Sequence, residues 1–384
     1  MPLPVPGRGQ VLYDHNLPIW LAMSDRLFAE IEKRVKLIQD YVLSETYLRR
    51  FAPDDMREAV TAYFRSGGKR LRPAVLLFAC GAVGGDESKA VSAAAAVEIF
   101  HTWTLVHDDI IDRDTLRRGH PTVHERFRQE SLRDGRFDDD VQAARHYGTS
   151  IAILAGDVQH GWGISLMTEL TTRYGIDAAV TLKLIDTLDT YVLTTLVEGE
   201  VLDVQLSRLP IEELSEADIE DMLWKKTGAL YEFCGAAGAA IGLNTPDLSH
   251  PLVTAIAGFT SACGAAFQLQ DDILGIVGDE RLLGKPVGSD IREGKRTVIV
   301  RSAYRKASPA QRDLLNRVLG NDHATTDEIA EVTSLLVNLG GVEYAKQRAK
   351  IHLQEGLPHL ERVPPSMYRD LLGDWARLMT EREF

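Results

Sequence analysis

At 384 residues the chain is long enough to bury a large core, as one domain or two, and its 45% hydrophobic and 26% charged residues make an ordinary globular mixture. A formal net charge of -13 excludes nucleic acid as the main partner, because no region carries the broad positive field such binding needs, although local basic patches can still hold a small anion. Cys80, Cys234 and Cys263 are odd in number and form no Cys-x-x-Cys pair. Neither a disulfide framework nor a cysteine zinc site is expected, and a reduced, cytoplasmic setting fits.

Residues 1–16 read as a flexible N-terminal segment; Met1 to Gln10 is rich in proline and glycine and lacks the apolar stretch of a signal peptide. From 17 to 384 helical periodicity predicts one all-α domain. Leu17 to Glu45 repeats apolar residues at three- and four-residue intervals, Asp54 to Arg65 follows, and another helix opens near Pro73, where a missing N–H is harmless. Ser88 to Asp112 is apolar on nearly every side, the mark of a helix through the centre of a protein. Its most apolar part, Ala90 to Val106, is interrupted by Glu98 and falls short of a spanning helix, so no integral membrane segment is expected. His120 to Arg145 is long and charged and predicts a short helix inside a mobile loop. Further helices are predicted near 146–173, 176–206, 216–242, 250–278, 290–305, 309–319, 324–338, 341–356 and 365–382. Strand signals at 171–173 and 287–289 are too short to found a sheet.

Two acidic clusters stand at the ends of apolar runs, Asp108-Asp109-Ile110-Ile111-Asp112 and Asp271-Asp272-Ile273-Leu274-Gly275. A helix puts Asp108 and Asp112 on one face, and like charges so placed call for a cation. Magnesium suits them, since it takes carboxylate oxygens and shares its other positions with water and phosphate. Basic runs accompany both clusters. Gly67-Gly68-Lys69-Arg70-Leu71-Arg72-Pro73 sets three cations beside two glycines, a grip for a diphosphate. Arg117-Arg118-Gly119 follows the first cluster, and Gly284-Lys285-Pro286, Gly288-Ser289-Asp290 and Gly294-Lys295-Arg296-Thr297 follow the second. His101 and His107 flank the first aspartates and His120 and His124 are four apart, but no third ligand completes a zinc site.

In this order the motifs resemble the trans-type isoprenyl diphosphate synthases, the polyprenyl synthetase family, and the resemblance spans Gly67 to Thr297. It implies a bundle of long helices around a deep central cavity, normally a homodimer. It also implies that Asp108, Asp109, Asp112, Asp271 and Asp272 hold about three magnesium ions on an allylic diphosphate. Arg117, Lys226 and Lys285 match cations that touch this diphosphate. Lys69, Arg72 and Arg118 match the grip for isopentenyl diphosphate, with His101 beside them. Thr227 and Gln268 match residues lining the nascent carbocation. Two positions depart from the commonest pattern: Gly275 stands where many members carry a fifth-position aspartate, and Glu200 follows Gly199 where glutamine is common.

The implied reaction is head-to-tail prenyl transfer: ionisation of the allylic diphosphate, attack by the double bond of isopentenyl diphosphate, then loss of a proton. The fourth, fifth and eighth residues before Asp108 are Thr104, Trp103 and Phe100, expected to point down the cavity and set product length. A bulky fifth position beside a small fourth resembles enzymes that stop at geranylgeranyl diphosphate; farnesyl or longer products are the alternative. Terpene cyclases share the first motif but usually lack the Gly-Gly-Lys-Arg stretch. A non-catalytic partner subunit would be expected to have lost one acidic motif.

Overall fold

The computed structural model describes residues 21–278 and 288–380. The expected flexible segment 1–16 and Lys285 lie outside them. Twelve helices reach the second acidic cluster: α1 (Leu21–Val42), α2 (Glu45–Leu48), α3 (Asp54–Arg65), α4 (Leu71–Ala82), α5 (Val91–Ile111), α6 (Val123–Arg133), α7 (Val141–Thr172), α8 (Ala178–Asp186), α9 (Leu193–Leu206), α10 (Glu216–Leu223), α11 (Ala229–Leu243) and α12 (Pro251–Val277). Six more follow among the described residues, from Ser289–Glu293 to Met367–Thr380. The strand content of the described residues is one two-residue pairing, Leu116–Arg117 against His120–Pro121.

The architecture is all-α, as its periodicity predicts. Helix α5 is the central one: Val91 to Val97, Ile99 and Phe100 are buried, and its run of alanines lets α4 and α7 pack closely against it. Its one mid-helix acid, Glu98, is buried against Arg70 at 2.9 Å, and Arg70 also donates to the Phe64 carbonyl at 2.9 Å. The arginine expected in the diphosphate grip is therefore turned inward, where removing it would strand a buried charge. Helices α4, α11 and α12 complete the main core, and a smaller apolar cluster forms beneath the end of α12 around Ile273, Ile276, Ile291 and Ile299.

Three expectations change. The stretch 120–145 holds the short helix expected there, α6, but anchors it on both sides. Val123 and Phe127, four apart, share one buried face. The Thr122 hydroxyl donates to the Asp114 carbonyl at 2.7 Å, and Arg136 pairs with Asp55 at 2.5 Å. Second, the segment 290–305 splits, because Gly294 is left-handed (φ +73°) and Thr297 caps a new helix, accepting from Val300 N–H at 3.3 Å. Third, helices expected to run straight contain widened π-helical turns, at Thr187–Val192 and Trp224–Gly228.

Candidate active site

Asp108 and Asp112 end α5 on one face, while Asp109, about 100° around the helix, turns inward. Asp109 is fully buried, accepting from the Tyr63 hydroxyl and from Arg117 Nε at 2.6 Å; burial lifts its carboxyl to about 6. Arg117 also reaches Asp108 Oδ2 at 3.2 Å. Lys226 lies 3.1 Å from Asp108, 2.9 Å from Glu200 and 2.6 Å from Asp203. Burial opposes ionisation of Asp108, yet Lys226, Lys295 and Arg117 outweigh it and hold its carboxyl well below the usual range. Lys295 binds Asp112 at 3.0 Å and Glu293 at 2.9 Å. Burial raises Asp112, and it lifts Glu200 to about 7 against the pull of Lys226.

Lys226 reaches this cluster because the π-helical turn at 224–228 presses on α9. A Cβ at Gly199 would sit 2.8 Å from the Lys226 Cα, so only glycine permits the approach. The next residue, Thr227, is buried and points its hydroxyl into the second cluster, donating to Gln268 Oε1 at 2.7 Å. Gln268 Nε2 in turn donates to Asp272 Oδ1 at 3.1 Å. Asp272 is only 7% exposed, and its Oδ2 accepts no hydrogen bond from the described residues. Burial pushes its carboxyl up to about 8, with Gln268 lowering and Asp290 raising it. Asp271, one residue earlier, is half-buried. The two acidic ends share a basic centre, since Lys295 touches Asp112 and also lowers Asp272 through space.

The glycine-rich grip gathers beside the first cluster. The Arg118 guanidinium lies over Gly68, where a Cβ would be 2.7 Å from its Cζ, and it donates to the Gly67 carbonyl. Arg72 stacks 4.6 Å above the Tyr231 ring and meets His101 Nε2 at 3.1 Å. Burial, then Arg72 and Arg118, push His101 well below its ordinary range. A neutral ring with Nε2 as acceptor satisfies this contact. Lys69 is exposed at the rim.

Below the first aspartates, Trp103 is half-buried and packs edge-on against Phe100, with ring centroids 5.0 Å apart, and 5.5 Å from the His160 ring of α7. Phe100 beside it is fully buried. The Thr104 hydroxyl donates to the His101 carbonyl at 2.7 Å. His160 Nε2 lies 2.9 Å from Asp189 in the first π-helical turn, close enough for an ion pair but poorly aligned for a hydrogen bond.

Sequence reasoning left Tyr63, Asp203, Glu293 and Lys295 out of the site. Lys295 stood in view in its glycine-flanked basic run, and Asp203 lies one turn after Gly199 on the same helix face. Nothing local marked Tyr63. Among the described residues no three His, Cys, Asp or Glu side chains are gathered at metal-holding spacing; lysines and arginines stand between the carboxylates.

An all-helical bundle with paired aspartates at two helix ends, cations between them and a basic grip alongside defines an isoprenoid-synthase architecture. The polyprenyl synthetase family model matches residues 53–336, and the chain belongs to that family, making it a prenyltransferase. It is 33% identical over 360 residues to the geranylgeranyl diphosphate synthase of Sulfolobus acidocaldarius, covering 93% of this chain and 97% of that protein. Identity to the geranylgeranyl diphosphate synthase of Saccharolobus solfataricus is 35% over 312 residues, covering 81% and 85%. The crystal structure of geranylgeranyl pyrophosphate synthase from Corynebacterium glutamicum, complexed with isoprenyl diphosphate and magnesium, superposes with a TM-score of 0.79 at 30% identity, covering 94% of this chain and 99% of that one.

Proposed function

We propose that the chain condenses isopentenyl diphosphate with dimethylallyl, geranyl or farnesyl diphosphate to make geranylgeranyl diphosphate. The observation that carries this reading is the double set of anion grips: Arg117, Lys226 and Lys295 among the paired aspartates, and Lys69, Arg72 and Arg118 beside them. One grip serves the diphosphate that leaves and the other the diphosphate that stays.

The residues fit magnesium, the metal of this family. The buried Oδ2 of Asp272 receives no hydrogen bond from the described residues, and such a lone pair costs free energy unless a cation meets it. Asp108 and Asp112 on one side and Asp271 and Asp272 on the other would hold the metal, about three ions in all, while Asp109 keeps Arg117 in place. Bound magnesium supplies charge neutralisation for the departing diphosphate. Arg117 and Lys226 exchange carboxylate partners for diphosphate oxygens, and Lys285, which lies outside the described residues, adds a further cation to this diphosphate. Arg72 and Arg118, backed by neutral His101, orient isopentenyl diphosphate. The Thr227–Gln268 pair presents oxygen dipoles to the developing allylic cation, and Trp103 with Phe100 and Thr104 closes the cavity against water and sets the chain length.

Residues 17–384 form one domain in this reading, since α12 lends buried side chains to both apolar clusters. The chain acts as a homodimer through α7–α9, where Ile153, Leu154, Leu182, Tyr191, Val197 and Val201 are exposed. Among the described residues one helix, Pro251–Val277, is long and apolar enough to cross a membrane. It is largely buried and carries both second-cluster aspartates, so it serves as a core helix. The three buried free thiols suit a cytoplasmic setting. The test is condensation by purified protein with magnesium, labelled isopentenyl diphosphate and separate C5, C10 and C15 primers. Primer-dependent formation of the C20 diphosphate is expected; no elongation with any primer would overturn the reading.

A further inference from the structure

The widened turn at Trp224–Gly228 is pinned to α12 at two points. Thr227 donates to Gln268, and Trp224 Nε1 donates to Ser261 Oγ at 2.9 Å. Ser261 and Gln268 are seven apart, two turns along one face of α12. The Ser261 hydroxyl donates in turn to Glu232 Oε2 at 2.8 Å. Glu232 follows Trp224 by eight residues, and the surplus residue of the turn leaves it where a seventh would stand in an uninterrupted helix, on the indole's own face. The ring lies over Gly228, where a Cβ would be 2.7 Å from its Cδ1, so a side chain at 228 would displace the indole. Trp224, Glu232 and Ser261 line a cavity of about 650 Å³ whose wall includes neither Lys226 nor Thr227.

We infer that Trp224, through its hydrogen bond to Ser261, is a positioning residue that sets where Lys226 and Thr227 stand. This rests on the reading of those two residues as facing the allylic diphosphate and its cation. Trp224 itself acts from the far side of the turn. With the indole tied at Ser261 and Thr227 tied at Gln268, the turn is held at its widened spacing, and Lys226 keeps its reach to Asp108 and Asp203. Glu232 completes the chain: by accepting the serine hydrogen it turns the lone pairs of Ser261 toward the indole N–H. An aromatic ring serving only as packing would not need its nitrogen.

Initial rates of condensation, with magnesium, labelled isopentenyl diphosphate and an allylic primer, separate the two roles. Trp224→Phe keeps an aromatic ring and loses the donor. Its KM for the primer is expected to rise about fivefold, the worth of one hydrogen bond, while KM for isopentenyl diphosphate stays at the wild-type value, because Arg72 and Arg118 come from other elements. Ser261→Ala should show the same rise, and Trp224→Phe/Ser261→Ala no more than either alone, since both remove one shared bond. Ser261→Thr keeps the hydroxyl, has the cavity for its extra methyl, and should restore the wild-type value. An unchanged primer KM in Trp224→Phe, a fall in kcat with both KM values unchanged, or effects that add in the double variant would overturn the inference. Lys226→Ala is the control for the underlying reading. If its primer KM matches wild type, the reading of Lys226 fails; if it rises while that of Trp224→Phe does not, only the role of Trp224 fails. Wild-type protein that elongates no primer overturns both.

Discussion

The two acidic helix ends look alike in sequence and differ in their surroundings. At the end of α5 each carboxylate faces a fixed cation, and Asp108 is held ionised by three of them. At the end of α12, Asp272 meets a neutral glutamine and a second carboxylate, and burial keeps its proton on to about pH 8. Asp108 is thus a charged platform on one helix and Asp272 a nearly neutral receptor on the other. Proximity of opposite charge, more than residue identity, sets which role a buried aspartate takes.

The sharpest way to break this contrast is to neutralise each side in turn. Asp108→Asn should cut the condensation rate roughly 1,000-fold, since it removes one preorganised charge and leaves Lys226 and Arg117 unbalanced; a loss under tenfold, measured by labelled isopentenyl incorporation, would refute the platform role. Lys226→Ala strands Asp108, Glu200 and Asp203 together, and a loss of about 100-fold with a lowered melting temperature is expected. Asp272→Asn should cost only about 10-fold, because that carboxyl is already close to neutral before metal arrives. If the Asp272 variant proves worse than the Asp108 variant, the assignment of roles is reversed.

Trp103→Ala tests the proposed floor below Asp108. Chromatography of dephosphorylated prenols should show products longer than C20, limited by Phe100 behind it; an unchanged product would remove Trp103 from that role. The smallest effect concerns Glu200. Its folded-state value of about 7 lies above the unbound 4.5, so the proton it retains stabilises the fold at low pH. That contribution is complete below about pH 4.5 and lost as pH rises through about 7. Glu200→Gln should therefore flatten the fall in melting temperature across this window, and an unaltered slope would show that Glu200 titrates normally.

Periodicity alone placed the helices and put Asp108 above Asp112, because both follow from the 3.6-residue turn. The same geometry separates Asp109 from its neighbours, although grouping all the aspartates as ligands overlooked it. What stayed hidden is long-range. Arg70 reads like Arg72 until Glu98 is seen beneath it, and Asp203 becomes relevant only when α9 meets Lys226. A short helix at α6 was legible, but its anchoring was not, because Arg136 meets Asp55 eighty-one positions away. The Asp290 carboxylate fills the space over Gly275, fifteen positions earlier in sequence, and no local pattern announces that contact.

The widened turn at Trp224–Gly228 makes this stretch sensitive to length as well as to spelling. A surface loop absorbs one residue more or less at its tip; here the surplus residue sits inside a helix, pinned by Trp224 Nε1 donating to Ser261 at 2.9 Å. Deleting one residue would rewind the helix by about 100°. Lys226 and Thr227 would then part company, and the single bend that now serves both acidic ends would serve neither. Relatives should keep this turn's residue count together with Lys226 and Thr227.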